Sequence, residues 1–198
     1  LVRAIVADAA GGFAARAVTR NPASDKGRAL AAAGAEVVAA DLDPQANLTS
    51  FFLHDDEIER CWESGGPTTV WKAIRPFVDR EDELQPVEWA QPDDSIALIV
   101  GDLGLSQYEN DLGEAWIRSL EGRPSHFRVL RAFNDIVRDV GNRFEAEVAL
   151  VDLGPNLGAL NRAALIASDW VVIPLMPDMY SLIGLRNVGR TLKTWRSD

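Results

Sequence analysis

The sequence predicts an α/β fold with three layers and a mostly parallel sheet. Three observations carry this. Four short apolar runs, EVVAADL, SIALIVG, EVALVDL and WVVIPL, have strand length and are separated by stretches of helical periodicity. Those runs are apolar on both faces, as strands buried on both sides of a parallel sheet are. Two of them end in acids, Asp41/Asp43 and Asp152, and in open α/β sheets ligands gather at the carboxyl edge of the strands.

In chain order, Val2–Ala10 reads as a helix or its last turns and Phe13–Thr19 as a strand closed by Arg20-Asn21-Pro22. Ala23–Ala33 reads as a helix because Asn21 or Ser24 can cap it, alanine favours it and Gly34 stops it. Glu36–Leu42 is then a buried strand, and the spacing implies a parallel β-α-β unit with a right-handed crossover. The acidic, proline-interrupted stretch His54–Asp94 is expected to hold one or two short helices, such as Thr68–Val78. Ser95–Gly101 is a strand, and Ser106–Leu120 and Phe127–Phe144 are amphipathic helices. In the second, Leu130, Phe133, Ile136, Val137 and Val140 recur at helical spacing. Glu147–Leu153 is a strand, Gly154–Gly158 a turn and Ala159–Ala167 a helix. Trp170–Leu175 is a further strand and Ser181–Trp195 a last helix, all within one domain over residues 1–198.

The bulk properties exclude several classes. The 198 residues are 47% hydrophobic and 25% charged, the balance of a globular domain with a real core. No apolar run reaches the 18 or so residues of a membrane span. LVRAIVADAAGG is short and broken by Arg3 and Asp8, unlike a signal peptide. The single cysteine, Cys61, allows no internal disulfide and fits a reducing cytoplasm. His54 and His126 stand far apart without a further ligand nearby, which disfavours zinc. The net charge of −10 lies in the later chain: residues 1–43 hold five bases and five acids, whereas 54–94 hold twelve acids and four bases. Such a surface does not coat nucleic acid as a whole, although a local basic face remains open.

Strand-terminal acids have two roles open to them. They can hold Mg²⁺ and orient an attacking water for phosphoryl transfer, or accept backbone N–H bonds and cap the following helix. A resemblance adds to this reading. DLDPQANLT, followed about a hundred residues later by LVDLGPNLGALNRAALIASDWVVIPLMPDMYSLIGLRN, resembles the ParA/MinD group of deviant Walker ATPases, as does SIALIVGDLGLSQYENDL, over about residues 41–198. The resemblance implies a P-loop NTPase-like sheet, ATP and Mg²⁺ as cofactors, and ATP-dependent dimerisation in plasmid or chromosome partition. It also implies a homodimer that meets DNA non-specifically and a ParB-like partner. By matching position, Asp43 resembles the acid that arranges Mg²⁺ and the hydrolytic water, and Asp152 the Walker B aspartate. Asn161 resembles an amide of the following helix, and Pro177-Asp178 an adenine-side loop. Gly154 stands where the family has the first residue of a Pro-Pro pair.

The family's phosphate loop, KGGxGKT[ST], has no counterpart among these residues, which contain no Gly-Lys pair. Its amides and lysines are the main partners of a triphosphate, so an impaired ATPase is expected. Residues 1–43 resemble another group: RAVTRNPASDKGRALAAAGAEVVAADLDP is similar to the second β-α-β segment of NmrA-like, Rossmann-like NADP-binding proteins. That resemblance implies Arg20 at the 2′-phosphate of NADP and Asp41 beside the adenine. The chain thus reads as two nucleotide-binding segments, 1–43 and 44–198, meeting at Asp41-Leu42-Asp43 like a chimera incomplete at both ends. An NADP-binding sensor or reductase fragment, or a non-catalytic interaction module, are the other functions this allows. Arg186, Arg190 and Lys193 fall at i, i+4 and i+7, a basic stripe open to DNA contact or to solvent. The six tryptophans lack interleaved bases and read as core or partner-facing anchors.

Overall fold

A computed structural model describes residues 35–78, 84–119, 124–155 and 158–173, with residues 179, 183, 184, 186, 189 and 190 beyond them. The expected helix–strand–helix before Gly34, with Arg20, lies outside the described residues, as do Pro177, Asp178 and Lys193.

Four strands form one sheet in the order β2-β3-β1-β4, where β1 is Val37–Asp41, β2 Ala90–Asp93, β3 Ile96–Ile99 and β4 Val148–Asp152. β1 pairs in parallel with β3 on one side and β4 on the other, while β2 runs antiparallel to β3 at one end. The sheet is therefore mixed but mostly parallel, as the apolar runs predict. Among the continuously described stretches, six helices accompany it: α1 Asn47–Phe52, α2 Asp55–Trp62, α3 Val70–Val78, α4 Leu105–Ser119, α5 Pro124–Arg143 and α6 Ala159–Ala167.

Register explains the core. Val38 lies beside Ala97 and Ala149, and Ala40 beside Ile99 and Val151, so two rows of side chains share one sheet face. Ile74 of α3, Tyr108 and Leu112 of α4, Phe133 and Val140 of α5, and Leu160 of α6 pack in the same cluster. Ala39 and Leu98, which point to the opposite face, are buried too. The periodic positions of α5 behave as their spacing predicts: Phe133, Ile136, Val137 and Val140 are buried, and Leu130 packs half-buried against them. The Tyr108 hydroxyl sits among these apolar groups and donates to the Val129 carbonyl, which removes the cost of burying an unpaired polar atom.

Three differences from the sequence reading have local causes. The stretch His54–Asp94, expected to hold one or two short helices, holds two among the described residues, α2 and α3, but the short helix α1 just before it has no counterpart in the sequence reading. The acids Asp55, Asp56 and Glu57 form the first turn of α2, where the helix dipole favours them, and the His54 N–H donates to the Glu57 carboxylate at 3.0 Å. Lys72 then closes the other end of α2 by donating to the carbonyls of Cys61 and Glu63, both at 2.6 Å. β2 is an edge strand that composition conceals, since its AQPD sequence is polar and contains Pro92. Finally, of the strand expected over Trp170–Leu175, residues 170–173 join no ladder among the described residues, which corrects that part of it. Trp170 is 56% exposed and Val172 51%.

Truncating the buried Phe133 of α5 measures how much the sheet depends on this layer. Phe133→Ala should cost about 3–5 kcal/mol, read as a lower urea midpoint at unchanged m value.

Candidate functional site at the carboxyl edge of the sheet

The carboxyl ends of β1, β3 and β4 point to one edge, and the residues just beyond them make the candidate site. Parallel pairing sets Asp41 directly beside Asp152, and the Leu42 N–H donates to the Asp152 carbonyl at 3.0 Å. After β1 the chain turns sharply at Asp43-Pro44-Gln45-Ala46, closed by the Ala46 N–H on the Asp43 carbonyl at 2.8 Å. Ala46 takes a left-handed conformation (φ 52°) while fully buried, which surrounding packing has to enforce on a residue with a Cβ.

Asp41 is fully buried and ties the edge together. One carboxylate oxygen accepts the Asp43 N–H at 3.1 Å and the other the Thr49 N–H in the first turn of α1 at 2.7 Å. The Thr49 hydroxyl accepts the Gly101 N–H beyond β3 at 2.8 Å. Gly101 has to be glycine: a Cβ there would lie 2.8 Å from the Asp41 Cγ. Burial pushes the Asp41 carboxyl up to about 6, against the bonds from Thr49 and with a further upward push from the neighbouring Asp152 charge. Of the two roles open to a strand-terminal acid, Asp41 fills the cap.

Asp43 is 6% exposed. Its oxygens accept the Gln45 N–H at 3.1 Å and the Asn47 side-chain amide at 3.2 Å, which orients the carboxylate. On its other side runs the Gly154 backbone, where a Cβ would come within 3.1 Å of the Asp43 carboxylate oxygen. The glycine in place of a proline is thus what allows the loop after β4 to lie against Asp43. Asn161 is buried on α6 and its amide donates to the Gly154 carbonyl at 2.7 Å. Glu109 of α4, which sequence reasoning did not single out, accepts the Ala159 N–H at 2.5 Å and the Leu160 N–H at 3.1 Å. Asp102, after β3, accepts the Thr69 hydroxyl at 2.6 Å and the Gly104 N–H at 2.8 Å. Asp102 directly follows the apolar run SIALIVG, the same strand-end signal that marks Asp41 and Asp152, whereas Glu109 lies inside α4 and no local signal points to its partners. Arg186 and Arg190 are helical and exposed.

The structure therefore brings Asp41, Asp43, Asp152 and Asn161 to one edge. The donor set suits Mg²⁺, which takes hard oxygen ligands and is commonly held by one or two carboxylates while keeping several waters. Among the described residues no group of three or more His, Cys, Asp or Glu could form an all-protein cage.

In open, mostly parallel α/β sheets the carboxyl edge, where these oriented carboxylates lie, is where ligands gather. The family is explicit: the AAA domain family AAA_31 matches residues 5–198, so the chain belongs to it, and it is a ParA-like family of P-loop NTPase fold. The match runs through the N-terminal stretch that resembles NmrA-like proteins. Over 168 residues the chain is 27% identical to the sporulation initiation inhibitor protein Soj of Bacillus subtilis, covering 84% of this chain and 56% of Soj. Among solved structures, protein DIP2308 of Corynebacterium diphtheriae superposes with a TM-score of 0.75 at 23% identity, covering 85% of this chain and 58% of that one. Cobyrinic acid a,c-diamide synthase of Mycobacterium smegmatis, solved with an ATP analog and magnesium, gives 0.52 at 25% identity, covering 85% and 57%. The chain spans 36% to 56% of the length of the curated relatives that it matches along most of its own length. No helix among the described residues is long and apolar enough to cross a membrane.

Two outcomes test this geometry. Folded Asp41 keeps its proton to about pH 6, against 3.8 for the free carboxyl. The folded state thus binds more protons between those values, and the stability this gives is full below pH 3.8 and lost as pH rises through 6. The difference corresponds to about 3 kcal/mol. Denaturation curves of the unaltered chain relative to Asp41→Asn should show it declining across that window, and a flat difference would refute the assignment. Gly154→Ala should separate the loop from Asp43 and cost about 1–3 kcal/mol, measured by thermal unfolding.

Proposed function

We propose that this chain is the metal- and water-handling part of a ParA-like partitioning ATPase, with Asp43 and Asp152 as its working carboxylates. One observation carries the reading. Adjacent parallel strands deliver both acids to the same edge, and Asp43 is oriented by Asn47 and Gln45 while the Gly154 loop walls its other side. Asp43 and Asp152 would hold Mg²⁺, which when bound supplies positive charge against the phosphates of ATP. The Asp43 carboxylate can accept a hydrogen bond from a water in line with the terminal phosphate and so fix the water's direction. Asn161 acts on this site through the Gly154 carbonyl, and Asp41 acts through the turn that carries Asp43.

The 198 residues offer no Gly-Lys pair to grip a triphosphate, so they hold the metal side of the site without the lysine side. Weak Mg·ATP binding and slow hydrolysis follow for the chain as it stands. Nucleotide-dependent self-association, non-specific DNA contact through Arg186, Arg190 and Lys193, and a ParB-like partner complete the proposed role, with AAA_31 membership and the similarity to Soj as its support.

Calorimetric titration provides the test. Mg·ATP should bind with a dissociation constant at or below about 1 mM, and Asp152→Ala or chelation of Mg²⁺ should weaken it by about tenfold, near 1.4 kcal/mol. NADPH binding that is lost on Arg20→Ala, with no response to Mg·ATP, would overturn this reading in favour of the dinucleotide one.

A further inference from the structure

We infer that Glu109 is a positioning residue for the Asp43–Asp152 site, acting from α4 through the start of α6; this rests on the reading of that site as a metal centre. The N-cap of α6 is Gly158, which has no side chain to satisfy the first amides of the helix. Glu109 supplies the missing acceptor from 50 residues away: its two oxygens take the Ala159 and Leu160 N–H groups at 2.5 and 3.1 Å. A carboxylate at a helix start is also favoured by the helix dipole.

The placement of this cap makes it more than a local stabiliser. In the next position of α6, Asn161 donates to the Gly154 carbonyl at 2.7 Å. Gly154 lies against the Asp43 carboxylate, two residues after Asp152. Glu109, the α6 amides, Asn161 and Gly154 thus form a continuous chain of contacts ending on Asp43. α4 is itself anchored, with Leu105, Tyr108 and Leu112 fully buried, so Glu109 reaches out from a rigid support. Metal-site residues held by such outer partners typically lose about 10–100-fold in affinity or activity when the partner is removed. Neutralising Glu109 places an amide where two N–H donors converge, and only one oxygen remains to accept.

The experiment compares the unaltered chain with Glu109→Gln and Asn161→Ala, using Mn²⁺ with ATP as a paramagnetic stand-in for Mg²⁺. The positioning role predicts that Glu109→Gln weakens Mn²⁺ binding by about tenfold and speeds amide exchange at Ala159 and Leu160, with the global unfolding midpoint little changed. Asn161→Ala should weaken Mn²⁺ while leaving exchange at Ala159 slow. It stands as an independent test should Glu109→Gln not fold. Faster exchange with unchanged Mn²⁺ affinity would reduce Glu109 to a plain helix cap, and no change in either would remove even that. If the unaltered chain itself binds no Mn²⁺ with ATP, the metal reading of Asp43 and Asp152 falls and this role with it. That outcome is distinct, because it appears before any substitution is made.

Discussion

The buried carboxyl of Asp41 is the constraint on which the edge of this sheet depends. It gathers the amides of Asp43 and Thr49, and Thr49 passes the connection to Gly101, so the ends of β1, α1 and β3 meet at one side chain. Desolvating a carboxylate is costly unless hydrogen bonds offset it, and here the offset is incomplete, since the group is pushed up to about 6. The fold accepts that cost and in return holds a tight turn with a left-handed alanine in a single shape. Together with the Leu42 N–H on the Asp152 carbonyl, this tie sets where the Asp43 backbone begins its turn.

From this point the edge divides the labour among its acids. Asp41 is structural and inward, while Asp43 is oriented but lies at the rim beside a glycine. Asp152 sits between the Asp41 charge and the loop that leads to α6. Asp102 and Glu109 serve helix starts on α4 and α6. Four carboxylates lie within a few residues of three strand ends and a fifth, Glu109, reaches in from α4, yet their environments differ enough that only some remain suited to a cation.

The alternation of strands and helices was readable because burial on both faces leaves continuous apolar runs, and these placed β1, β3 and β4 to within a residue or two. Ala159–Ala167 was readable to its ends because Gly158 precedes it and apolar spacing fills it. What stayed hidden depends on long-range contacts. α1 is only six residues long and is held by a carboxylate eight positions before Thr49, while β2 is polar because it lies at the sheet's rim. The apolar run at Trp170 has strand composition, but composition does not supply a neighbour, and residues 170–173 stay outside the ladder. For the site, the acids at the strand ends were visible in the sequence. The division between cap and metal-facing group was not, since it turns on which amides come within reach after folding.

The polar rim strand also sets how copies of this protein can meet. β2 presents Gln91, Pro92 and Asp93 at 90–93, all exposed, beside a turn at Asp94. Proline lacks the N–H that an added strand would need, and the acids would face any incoming backbone with charge. Aggregation by continuous β-stacking is therefore blocked on that flank. Any contact made on that flank has to be built from side-chain surfaces rather than from a continued strand ladder.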